Sequence, residues 1–195
     1  MHTTLKRGLV AVAGFALLAT SSVFASSTWA SPGATGEDQF SPYLSGQAST
    51  LLSKIQNEAA DLSPHADTLD VLARSPRLSW ETHAHYLNRV KGHINSVGKY
   101  LAELQQVQTL VAPWQKQAIA ELTNHATQMA DRTEAAIVHL RENQNRLFVQ
   151  EYRDHLSTIA DRSEMMKETV DKFLDFERTQ QKLQVLRNEL EIAGS

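Results

Sequence analysis

Residues 80–108 read WETHAHYLNRVKGHINSVGKYLAELQQVQ, and they decide the fold. Trp80, His83, Leu87, Val90, Ile94, Val97, Leu101 and Leu104 recur in an unbroken 3-4 alternation. That is the period of one face of an α-helix and has no match in the two-residue period of a strand. At roughly 1.5 Å per residue the stretch predicts a helix ~43 Å long, with a seven-residue repeat of the coiled-coil kind.

The same period extends in both directions. Between Gln47 and Glu191 there are two glycines and three prolines and no alternating strand pattern. Ser75-Pro76 ends a first helical region, and Ser79 is placed to cap the second by accepting a bond from an orphan backbone N–H. Pro113 suits the first turn of a third helix, where its missing N–H costs nothing. Asn143-Gln144-Asn145 reads as a turn, after which Tyr152, Leu156, Ile159, Met166, Val170 and Phe173 resume the period. The expectation is an all-α, antiparallel up-down-up-down four-helix bundle over residues 47–195, with helices at about 47–74, 80–109, 113–143 and 149–191. Pro64 should kink or split the first helix. Gly92 and Gly98 lie inside the second, each costing ~1 kcal/mol against alanine. Close packing against a neighbour is the expected compensation, with a compliant helix as the alternative.

The fourth helix is the longest, and its tail carries Phe173, Phe176, Leu183, Leu186 and Leu190. An apolar face beyond the bundle end has to be buried somewhere. The segment around Phe40, Tyr43 and Leu44 is the expected cover, with a second subunit as the alternative.

Upstream of the bundle the pattern changes. Lys6 and Arg7 precede a small and apolar run from Gly8 to Ala19, and Val23-Phe24-Ala25 follows. A positive start, a short apolar core and a small-x-Ala site form a secretory signal peptide over residues 1–25, cleaved after Ala25 or alternatively after Ala30. The apolar run is about 12 residues, short of the roughly 20 that cross a bilayer. Residues 26–46, rich in Ser, Gly and Pro, read as a flexible segment. The implied address is outside the cytoplasm, periplasmic or secreted, with no membrane span after cleavage. Loss of Lys6 and Arg7 leaves 17 basic against 22 acidic residues, a formal charge of −5. A mildly acidic domain has no electrostatic reason to bind nucleic acid. The chain has no cysteine, so no disulfide can brace it.

Two features carry chemistry. Residues 121–134, ELTNHATQMADRTE, repeat as 151–164, EYRDHLSTIADRSE, thirty positions later. Glu121 and His125, and likewise Glu151 and His155, are four apart on one face, and such pairing would raise the imidazole pKa. The histidines themselves are the second feature. Hairpins folded about turns near residues 77, 111 and 147 bring His83, His139 and His155 level at one end, with Asp70 in reach. Imidazoles with a carboxylate suit Zn, Cu or Ni, which makes these four a candidate metal set.

Catalytic signatures are absent from the sequence: no HExxH, no Glu-x-x-His, no Gly-rich phosphate loop, no Gly-x-Ser-x-Gly. The expected function is a non-enzymatic, exported bundle that acts in the cell envelope by partner binding, scaffolding or chaperone-like contact, with a protein partner or self-association through its C-terminal helix and no cofactor. A transition-metal-binding bundle is the alternative. The ligand-binding bundle of a signalling system is a third reading, weakened because no membrane-spanning helix follows the domain.

Overall fold

The computed structural model describes residues 41–75 and 78–193, and the signal-peptide reading of residues 1–25 lies outside them. Four helices account for the described chain: α1, Pro42–Ala73; α2, Trp80–Val107; α3, Pro113–Glu142; and α4, Gln150–Ala193. A single 3-10 turn, Gln108–Leu110, joins α2 to α3, and no strand occurs among the described residues. The protein is an all-α four-helix bundle. Helix α1 packs on α2 and α4, and α3 packs on the same two, so α1 and α3 sit diagonally with little contact.

The core follows from the period. On α2 the buried residues are His83, Leu87, Val90, Ile94, Val97, Leu101 and Leu104, which is the 3-4 series without a gap. The repeat in α3 and α4 buries matching positions: Leu122 and Tyr152, Ala126 and Leu156, Met129 and Ile159, Thr133 and Ser163. The duplication therefore supplied two copies of one core-facing stripe. Among the described residues no helix is long and apolar enough to cross a membrane.

Four local expectations change. Helix α1 begins at Pro42, so residues 42–46 of the segment read as flexible are helical, started by the Ser41 hydroxyl accepting from the Leu44 N–H at 3.4 Å. The helix also runs through Pro64 as one element. The bond that proline cannot donate would have gone to the Ala60 carbonyl, and both residues are on the exposed side, where water can serve it. Ser79 occupies the cap position of α2, but its hydroxyl lies 3.4 Å from the Thr82 hydroxyl and makes no bond to an orphan N–H. Gly92 and Gly98 are exposed, and a Cβ on either would meet nothing within 4 Å. Neither glycine answers to a close helix contact.

One polar anchor is buried where the amino ends of α1 and α3 meet. The Gln115 carbonyl oxygen accepts from the Ser45 hydroxyl at 2.6 Å and the Ala112 N–H at 3.1 Å. Its amide donates to the Ser45 carbonyl and the Ser49 hydroxyl, both at 2.9 Å. A buried amide costs stability unless its donors and acceptors are bonded, and this one is satisfied on both sides.

Candidate functional site

At the end of the bundle near the α3–α4 turn, His83, Tyr152, His139 and His155 come together. Tyr152 is fully buried, and its hydroxyl lies 3.3 Å from Nδ1 of His83, itself only 1% exposed. The His83 and Tyr152 rings are tilted at 55° with centroids 5.6 Å apart, while His139 stacks on the same phenol at 5.1 Å and 26°. Both histidines thus engage the one phenol. Burial lowers the pKa of His83 below its ordinary value and raises that of Tyr152 far above it. Both groups are held neutral, the state in which each can serve a single shared hydrogen bond.

The level-matching of His83, His139 and His155 therefore holds, but the metal set built on it does not assemble. Tyr152 engages two of the imidazoles, and Asp70 is taken by Arg74 at 2.6 Å. Among the described residues no three His, Asp or Glu side chains are grouped to hold a metal ion. His139 and His155 instead border an open groove of about 690 Å³ with Asp131, Glu134, Glu142 and Glu151.

The repeat also behaves differently from its expected chemistry. No Glu121–His125 or Glu151–His155 hydrogen bond forms; Glu121 accepts from Gln117 at 2.8 Å. Antiparallel packing sets each copy against the other. His125 feels Arg162 and His155 feels Arg132, so the arginine of one copy faces the histidine of its duplicate. Burial, reinforced by these guanidiniums, lowers both imidazole pKa values and outweighs the opposing pull of Glu121 and Glu151.

A second histidine cluster lies between α1 and α2 and was not anticipated. His93 Nδ1 is 2.8 Å from the Glu58 carboxylate, and Arg89 donates to His65 Nε2 at 3.0 Å. The His65 and His93 rings meet edge to face at 5.6 Å. Burial, then Arg89 and His93, lower the pKa of His65. Helix α1, running through Pro64 as one element, carries His65 to the level of Arg89.

The opposite end holds the tail of α4. Trp114, at the start of α3, stacks on Phe173 at 6.4 Å and meets Phe176 edge-on at 6.1 Å. Leu174 is the last buried residue of α4. From there residues 175–193 continue as helix, about 28 Å of it at ~1.5 Å per residue. Phe176, Leu183, Leu186 and Leu190 are 43%, 59%, 54% and 74% exposed. Of the expected cover, Tyr43 is 80% exposed, Leu44 is partly buried against the core, and Phe40 lies outside the described residues.

The chain matches no protein-family model, no curated protein and no solved structure in the three comparisons made. Fold and site define a four-helix bundle that extends one helix, with an apolar stripe, past its own core.

Proposed function

We propose that this is an exported, non-enzymatic protein whose bundle presents the tail of α4 as a docking helix for a protein partner. One observation carries the reading: a helix continuous with a well-packed core runs on for residues 175–193 with its leucines exposed. Exposed apolar stripes on helices are the usual material of helix–helix recognition, where anchors at spacings of three, four and seven enter a partner's groove. The rigid bundle supports this role, because the helix is held at one end by Trp114, Phe173 and Leu174 and pays less ordering entropy on docking. Export rests on the signal-peptide pattern of residues 1–25.

Truncation after Arg178 tests the reading. It removes no buried residue of the described chain, so thermal unfolding should be unchanged. Chemical cross-linking in the cell envelope should yield a discrete adduct with the whole chain and none with the shortened one. An adduct that survives truncation would place the contact elsewhere and refute the proposal.

A further inference from the structure

We infer that the tail of α4 is an antiparallel self-association helix, whose occupant is the same tail of a second copy of this chain. The inference rests on the docking reading above and names its partner.

The geometry starts with a change of stripe. Within the bundle the buried line on α4 runs Tyr152, Leu156, Ile159, Ser163, Met166, Val170. Its 3-4 continuation falls on Phe173, Glu177, Gln180 and Gln184, which turns polar as the bundle ends. The tail carries a different line, Phe176, Thr179, Leu183, Leu186 and Leu190, spaced 3, 4, 3 and 4. It sits one residue back, about 100° around the helix from the core line. The stripe is therefore a coiled-coil seam of its own and not a prolongation of the core.

Charge selects the orientation. In heptad terms Phe176, Leu183 and Leu190 are a positions and Thr179 and Leu186 are d positions. Lys182 and Glu189 are then g positions, Gln180 and Arg187 e positions, flanking the seam. In a parallel pair each g faces the following e, which sets Lys182 against Arg187 of the second copy, twice. In an antiparallel pair g faces g and e faces e. Lys182 then meets Glu189 of the second copy, again twice, and Gln180 meets Arg187. No ion pair within the chain is recorded for Lys182 or Glu189 among the described residues. The antiparallel register also puts Leu183 level with Leu186, and Leu190 with Thr179. Position x lies level with about 369 − x, so residue 193 of one copy reaches residue 176 of the other, where the bundle stops. The overhang is as long as the seam needs.

Sedimentation equilibrium of the full chain and three charge variants tests this, with circular dichroism confirming an unchanged fold. The wild type should form a dimer at about 100 µM protein and dissociate on dilution. Lys182→Glu sets like charges together in the antiparallel pair and should raise the dissociation constant roughly 5–10-fold. Glu189→Lys should do the same, and the double variant Lys182→Glu/Glu189→Lys should return to wild-type affinity. A parallel pair predicts the reverse for Lys182→Glu, since glutamate would then face Arg187 and tighten the dimer. Tightening, a wild-type monomer at that concentration, or failure of the double variant to recover would each overturn the inference. A monomeric wild type that still forms its tail-dependent envelope adduct would overturn self-association and leave the docking reading standing.

Discussion

Replacing Gly92 and Gly98 by alanine should stabilise the bundle, and the size of the gain follows from where these residues sit. Both lie in the interior of α2, on its exposed side, with nothing within 4 Å of the position a Cβ would take. A methyl group therefore displaces no neighbour and fills no contact. What remains is the backbone entropy that glycine loses on entering a helix, about 1 kcal/mol relative to alanine. Six residues of helix separate the two positions by ~9 Å, far enough for independent effects to add. The double variant should gain about 2 kcal/mol, which for a domain of this size raises Tm by roughly 4–8 °C. Urea unfolding followed at 222 nm is the assay, with an unchanged slope showing that the unfolded surface is the same. A loss of stability in either single variant would refute the reasoning, because it would mean that something packs against the glycine after all.

Three further outcomes are expected. Gln115→Ala removes four hydrogen bonds, leaving the Ala112 N–H with the Ser45 hydroxyl at 3.2 Å, and should cost about 2–4 kcal/mol in the same urea assay; a cost below ~1 kcal/mol would deny the anchor its role. Tyr152→Phe leaves Nδ1 of His83 buried without its hydroxyl and should cost about 1–2 kcal/mol, and no change would show that the 3.3 Å contact contributes nothing. Stability should also fall on acidification, before ordinary carboxylates begin to protonate. Burial, joined by nearby guanidiniums at three of them, lowers the folded-state pKa of His65, His83, His125 and His155 below the unfolded value near 6.5. Between the folded and unfolded values the unfolded chain binds more protons, so stability is full above pH ~6.5 and declines as pH falls toward the folded pKa values. A urea midpoint that is flat from pH 7.5 to 5.5 would contradict these assignments.

The helices were legible because burial imposes a period that sequence displays directly. Residues 83, 87, 90, 94, 97, 101 and 104 are apolar or histidine at 3-4 spacing, and all of them are buried. The level of His83 against His139 followed too, since short turns leave an antiparallel pair little freedom in register. Three kinds of feature escaped. Gln115 is a buried polar residue with no pattern of its own, and its worth lies in partners seventy residues away on α1. Gly92, Gly98 and Pro64 look meaningful by local rules, but all three sit on the solvent side, where exceptions to those rules cost least. The candidate metal set meets a third kind of limit. Register can bring His83, His139 and His155 level, yet it does not say what lies between them, and Tyr152 contacts both His83 and His139.

The stripe on the tail of α4 is proposed to be covered by another chain and not by its own. Amide hydrogen exchange of residues 179–193, measured over a hundredfold dilution of the protein, tests this most directly. Those amides should exchange within seconds in dilute solution and become protected as concentration rises, while the amides of Leu87, Val90 and Ile94 in the core stay protected throughout. Tail amides as protected as the core at every dilution would mean that the chain covers its own stripe, and the account would be contradicted.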